Sequence, residues 1–276
     1  MNACLRRETV AVYGASGYTG KRVAARLMAR GKHVILAGRD PTKLASLGRE
    51  LTTGRALGNA VSCALSLDDS QGLEALLHRA GSVVNCAGPF SATTRPLAQA
   101  AIAAGAHYLD VSAEQGSAHW LCEHAERDAR NRGIVLLPAC AFYVAIADLL
   151  ASLASRGLGR LEEIELGYFI THWRPPAGSF RSRIEGLARD WYTHEGTLRK
   201  GGAWPRTTWF DFPRPVGRRR MTVYPTADVE FFVLQLSDAG KVTQCPKRRC
   251  EIVHRAQRLR VLGPLHLTAH GKDFLL

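Results

Sequence analysis

At 276 residues, 46% apolar and 22% charged, the chain is long enough to bury a full core and too apolar to be disordered or collagen-like. Its seven cysteines, Cys4, Cys63, Cys86, Cys122, Cys140, Cys245 and Cys250, are odd in number and contain no Cys-x-x-Cys pair, which points to reduced thiols rather than to a disulfide framework or a zinc site. The net charge of +13 is uneven: residues 1–150 hold 16 basic and 12 acidic side chains, the remainder 21 and 12, a field that favours anionic ligands.

The basic clusters Arg218–Arg220 and Lys247–Arg249 read most simply as solvated surface, and no nucleic-acid module accompanies them. No charged-then-apolar leader precedes the first strand-like run, so the expectation is a cytoplasmic protein without a cleaved signal. The apolar stretch from Ile134 to Ala154 approaches membrane-spanning length, but Pro138 and Asp148 interrupt it. A buried strand, a turn and a packed helix explain it at lower cost.

Val10 to Tyr13 is an apolar run that enters the turn Gly14-Ala15-Ser16-Gly17-Tyr18-Thr19-Gly20. A helical pattern follows, with Val23, Leu27 and Met28 on one face and Gly31 at its stop, and Val34 to Ala37 reads as a second buried strand. Placed between a strand and a helix, the three glycines read as a dinucleotide fingerprint. Gly14 permits the tight turn, Gly17 lets a pyrophosphate approach the backbone, and Gly20 lets helix and sheet pack closely. The helix N-terminus then offers unpaired N–H groups to the phosphates.

The second strand ends in Gly38-Arg39-Asp40-Pro41-Thr42-Lys43. Arg39 is placed to stack on an adenine and bridge a 2′-phosphate, with Lys43 one helical turn on as a second cation, so the reading favours NADP(H) over NAD. Asp40 reads as a helix N-cap, because Pro41 suits the first helical position.

Alternation continues. Leu73, Leu76 and Leu77 mark a helix, Val83 to Ala87 a strand running into Gly88-Pro89-Phe90, and Pro96 to Ala104 a helix. Tyr108 to Val111 is a strand, Trp120 to Arg132 a helix, and Ile134 to Leu137 a strand. The predicted fold is α/β, a Rossmann-type doubly wound parallel sheet with ligands beyond the strand C-termini, where Asn85, Ser91, Asp110, Ser112, Glu114 and Cys140 all fall.

Gly14 to Gly20, Ala37 to Asp40 with Lys43, Asn85 to Phe90, and Tyr108 to Asp110 with Glu114 together resemble the saccharopine dehydrogenase-like NADP-binding proteins over roughly residues 8 to 150. That group includes saccharopine reductases and the trans-acting enoyl reductases of lipid assembly. The resemblance implies that Gly14 to Gly20, Arg39, Lys43, Cys86, Ala87, Gly88 and Pro89 bind the cofactor. It also implies a Rossmann domain over residues 1–157 and a smaller α+β substrate domain over residues 158–276 that often pairs into a homodimer. Asp110 and Glu114 are candidates by position for the chemical step, with helix caps or structural acceptors as the alternative. The chain departs from many relatives in having Ala141-Phe142-Tyr143 for a Gly-Phe-Asp segment, although Asp148 fits a later acidic position.

In the second half, Ile164, Leu166, Tyr168 and Ile170 alternate as in a half-buried strand. Gly178 to Ser182 opens a predicted helix with Phe180, Ile184, Leu187 and Trp191 on one face. Ser179 is either its cap or part of a substrate-facing segment. Val223 to Leu236 reads as further sheet. From about residue 236 periodicity weakens, and the expectation is a truncated, divergent or frameshifted C-terminus with low stability or partner dependence.

The expected activity is hydride transfer to or from a small or acyl substrate, unsaturated or carbonyl-like, held between the domains. The rival is a non-catalytic NADP-binding sensor or scaffold. No Tyr-x-x-x-Lys pair, Gly-x-Ser-x-Gly elbow or His-Glu-x-x-His helix is present, which excludes the short-chain dehydrogenase, hydrolase and zinc-protease chemistries and leaves no metal expected.

Overall fold

The computed structural model describes residues 3–53, 57–154, 161–170, 178–179, 191–194, 197–200, 207–222, 226–227 and 257–261. The chain divides into two compact units, Met1–Ala141 with Pro176–Glu185, and Phe142–Pro175 with Gly186–Leu276.

The first unit is a Rossmann-type α/β domain. In chain order it runs α1 (Ala3–Glu8), β1 (Thr9–Tyr13), α2 (Tyr18–Ala29), β2 (His33–Gly38), α3 (Pro41–Thr52), β3 (Ala60–Ala64), α4 (Ser70–His78) and β4 (Ser82–Asn85). It continues with α5 (Phe90–Ala104), β5 (His107–Asp110), α6 (Gln115–Trp120), a π-helical turn (Leu121–Ala125), α7 (Glu126–Arg132) and β6 (Leu136–Leu137). All six strands are parallel in the order β3-β2-β1-β4-β5-β6, so their C-terminal ends share one edge and the order reverses between β1 and β4.

The two-residue side-chain period of the strands builds a core on each face of this sheet. Ala11, Tyr13, Ile35, Ala37, Val83 and Tyr108 pack with Leu73, Leu77, Leu97, Ala101 and Leu121 on one side. Val12, Val34 and Leu36 pack with Ala24, Met28, Leu44 and Leu47 on the other. A strand buried on both faces must be apolar throughout, which is why β1 and β2 were legible as continuous runs.

Four elements depart from the sequence reading. The helix expected from Pro96 starts at Phe90 and carries Pro96 inside it. Burial of Phe90, Thr93, Thr94, Leu97, Ala98 and Ala101 along one stripe outweighs the missing proline N–H. The helix expected from Trp120 starts at Gln115 and passes through the π turn. The edge strand β3 gave no signal, because its residues are largely exposed on both faces. Finally, α1 forms where no element was expected, and its Arg6 Nη2 donates to the carbonyls of Ala104 (2.6 Å) and Gly105 (3.1 Å) at the C-terminal end of α5.

The second unit contains α8 (Phe142–Ala154), β7 (Leu161–Leu166), β8 (Trp191–His194), β9 (Thr197–Lys200), β10 (Thr207–Asp211), β11 (Arg218–Thr222) and β12 (Gln257–Val261). β7 pairs with β12 in parallel, while β8–β9 and β10–β11 are antiparallel. Phe210, Phe212 and Phe169 form a ring cluster, and Phe210 lies so close to Gly167 that a Cβ there would stand 2.6 Å from its ring. Trp191, expected on a helix face, begins a strand. Elsewhere in that predicted helix Gly178 and Ser179 are described, both helical, and the readings over Val223 to Leu236 and the C-terminus fall almost wholly outside the described residues. The apolar run Ile134 to Ala154 resolves into β6, a turn and α8, and no helix among the described residues is long and apolar enough to cross a membrane.

The predicted cap of α3 is present: Asp40 Oδ1 accepts from the Lys43 N–H at 3.0 Å, with Pro41 at the first helical position. That bond, joined by the Lys43 side chain, lowers the Asp40 pKa below its ordinary 3.8. A lowered carboxylate pKa stabilises the fold at pH above the ordinary value and ceases to do so as pH falls through the folded value. Asp40→Ala should therefore lower the melting temperature by a few degrees at pH 7 and by much less near pH 2, and Asp40→Asn should retain most of the stability at both, as read by thermal denaturation.

Candidate functional site

The loops after β1, β2, β4 and β5 meet at the C-terminal edge of the sheet, on either side of the point where strand order reverses. Open α/β sheets bind ligands at such a point. The turn after β1 is shaped by backbone contact. Gly14 has φ +78°, and a Cβ on it would stand 2.9 Å from both the Cβ and the N of Ala87. A Cβ on Gly20 would stand 2.2 Å from the Gly14 carbonyl oxygen, so only glycine lets α2 start this close to β1.

The hydrogen bonds of the turn are turned inward. The N–H groups of Gly14 and Ala15 donate to the Ala37 carbonyl, and that of Gly17 donates to the Gly14 carbonyl. Gly17 is the N-cap of α2 and provides no side-chain cap. The first-turn N–H groups of a helix lack intrahelical partners, and here Ser16, Gly17, Tyr18 and Thr19 keep solvent access. The helix dipole adds partial positive charge at the same place. This uncapped, glycine-lined N-terminus fits a diphosphate.

The other helix N-terminus beside the crossover is closed. α5 has Pro89 at its N-cap and no local side-chain cap, and Glu114 supplies one from 24 residues away. Its Oε1 accepts from the Phe90 N–H at 3.0 Å and its Oε2 from the Ser91 N–H at 2.9 Å. The chain's own carboxylate thus fills one anion seat and leaves α2 as the open one.

Arg39, exposed, directly follows β2, close enough to Tyr13 for its guanidinium to oppose the rise in phenol pKa that burial causes. Tyr13 donates to the Leu65 carbonyl at 3.1 Å. Lys43 lies in the first turn of α3, with its Nζ 3.1 Å from Asp40 Oδ2, an exposed pair that ligand phosphate can break at little cost. Tyr18 carries the Arg22 guanidinium 3.7 Å from its ring centroid, a cation beside the turn that the sequence reading did not single out.

Cys86, Ala87, Gly88 and Pro89 form the loop after β4 that faces Gly14. Burial, and secondarily the Asp110 carboxylate, pushes the Cys86 thiol up to about 12, so it stays protonated and unreactive at neutral pH. Asp110 is wholly buried: Oδ1 accepts from the N–H groups of Ser112 (3.0 Å) and Ala139 (2.8 Å), and Oδ2 from the Tyr108 hydroxyl (2.9 Å). Ala139 has φ +56°, a strained backbone that this bond helps to hold. Both carboxylates singled out for chemistry therefore act within the fold as hydrogen-bond acceptors. Sequence reasoning missed Thr93 and Thr94, which complete a buried polar network with Asn85 and Tyr108.

Residues 10–135 match the family described as the saccharopine dehydrogenase NADP binding domain. Over this stretch the chain is similar to that domain, and NADP(H) is its cofactor. A Caenorhabditis elegans lipid droplet localized protein is 27% identical over 209 residues, covering 71% of this chain and 49% of that protein. A Mycobacterium tuberculosis trans-acting enoyl reductase is 29% identical over 154 residues, covering 54% of this chain and 36% of that enzyme. The chain thus spans about half or less of the length of these curated relatives. Among solved structures, the Saccharomyces cerevisiae saccharopine dehydrogenase (L-Glu forming) is similar over 84% of this chain and 52% of its own, at 18% identity and a TM-score of 0.49.

The close approach at Gly20 gives a direct test of the NADP binding domain's turn. Gly20→Ala forces α2 away from β1, and the expected result is a cost of about 1–3 kcal/mol in stability from overpacking, measured by denaturant unfolding, with NADPH binding lost in a fluorescence titration.

Proposed function

We propose that this chain works as an NADP(H)-dependent oxidoreductase acting on a small or acyl substrate with an unsaturated or carbonyl-like acceptor. The observation that carries the reading is the pairing of one open helix N-terminus, at Gly17 to Gly20, with an exposed guanidinium, Arg39, at the end of the neighbouring strand. The first seats a diphosphate and the second selects a 2′-phosphate. When bound, the cofactor supplies a hydride. The chain's own residues bind and orient: the turn amides take the diphosphate, Arg39 and Lys43 the additional phosphoryl group, and the Cys86–Pro89 loop bounds the cleft on the other side of the crossover. Similarity to the mycobacterial enoyl reductase and to the nematode lipid droplet protein supports an acyl substrate.

Asp110 and Glu114 serve this reading as positioning groups. Glu114 holds the first turn of α5 and with it the Pro89 end of the loop, while Asp110 fixes Tyr108 and Ala139.

Arg39→Ala should remove most of the preference for NADPH over NADH, about 1–3 kcal/mol for a lost charged contact, in paired fluorescence titrations. The preference should also shrink with added salt, because Arg39 is exposed. Oxidation of NADPH in the presence of enoyl and carbonyl substrates tests the activity itself. Binding that persists with no consumption of NADPH across that panel would overturn the enzyme reading in favour of a cofactor-binding sensor or scaffold.

A further inference from the structure

Between β4 and α5 the main chain of Ala87 is held on both of its polar groups. Its N–H donates to Asn85 Oδ1 at 3.0 Å, and its carbonyl accepts from Thr93 Oγ1 at 2.7 Å. Because Ala87 N–H can only donate, the atom facing it must be the Asn85 carbonyl oxygen, which fixes the amide orientation. The Asn85 Nδ2 then donates to Thr93 Oγ1 (2.9 Å) and to the Tyr108 hydroxyl (3.2 Å), and Tyr108 donates to Asp110 Oδ2 (2.9 Å). Each donor has an acceptor and the chain of bonds runs one way, from Asn85 through Thr93 to the loop and through Tyr108 to the carboxylate.

Asn85, Thr93, Thr94, Tyr108 and Asp110 are all buried, so this network is shielded from water and each missing bond is costly. Its output is the position of Ala87, and Ala87 touches Gly14. The network therefore sets how far the loop after β4 stands from the diphosphate turn.

Dinucleotides lie across the crossover of a doubly wound sheet, one mononucleotide on each side. Arg39, on the β2 side, marks the side of the adenosine 2′-phosphate. The other half of the cofactor then falls on the β4–β5 side, against the loop that Asn85 and Thr93 hold. We infer that Asn85 and Thr93 are positioning residues for the nicotinamide half of NADP(H), acting through the main chain of Ala87, and that the adenosine half is bound independently of them. This inference rests on the cofactor reading above.

The test compares NADPH with 2′,5′-ADP, which carries the adenosine half and its extra phosphate and lacks the nicotinamide. Both are titrated into the full chain as wild type, Thr93→Val and Thr93→Ser, with a melting curve for each. Thr93→Val keeps the shape of the side chain and removes the bond to the Ala87 carbonyl. It should weaken NADPH about tenfold while 2′,5′-ADP stays within about twofold of wild type. Thr93→Ser retains the hydroxyl and should restore NADPH affinity. Should Thr93→Val not fold, Thr93→Ala makes the same comparison with a smaller side chain. Equal loss for both ligands, or no loss for either, overturns the positioning role. A wild-type chain that binds neither ligand overturns the cofactor reading instead, and the inference with it.

Discussion

The NADP binding domain depends on how closely three stretches of backbone approach one another at the sheet's C-terminal edge. Gly20 sits against the Gly14 carbonyl and Gly14 against Ala87, each at a separation that any side chain would increase. These contacts bring the start of α2 close to the end of β1 and the loop after β4 beside it. Everything the site does follows from that proximity: helix amides reach a ligand only because no Cβ stands between strand, turn and helix.

Around this contact the domain separates two roles that acidic and amide side chains can play. On the α2 side the polar groups are left to the ligand, with no side-chain cap and solvent-accessible residues. On the α5 side they are consumed by the chain itself, through Glu114 at the helix start and through Asn85 and Thr93 on Ala87. A fully bonded buried network is rigid, and a wall of the cleft benefits from rigidity as much as the phosphate seat benefits from open donors.

Much of this was legible in the sequence, for physical reasons. Strands buried on both faces read as Val10–Tyr13 and Val34–Ala37, and Asp40-Pro41 announced the start of α3, because a cap and a proline act locally. Where the controlling interaction was distant, the sequence was silent. The first turn and a half of α5 was unreadable, since its buried stripe includes Thr93 and Thr94, whose hydroxyls bond residues on β4 and β5 and the loop after β4. Asp110 and Glu114 drew notice as acids beyond strand ends, but beside the local bonds of Asp110 to Tyr108 and Ser112 stand its bond to residue 139 and those of Glu114 to residues 90–91, which no local pattern encodes. The exposed strand β3 lacked the apolar face that gives a strand its signature.

The helix that carries Thr93 is fastened at both poles by residues far away in the chain. Arg6 holds the carbonyls of Ala104 and Gly105 at one end, and Glu114 holds the amides of Phe90 and Ser91 at the other. During synthesis the first clamp has emerged long before the helix it secures, and the second arrives only after β5 has left the ribosome. The cleft thus cannot take its final form until Glu114 has cleared the exit tunnel, and the order of translation itself separates folding of the phosphate turn from completion of the opposite wall.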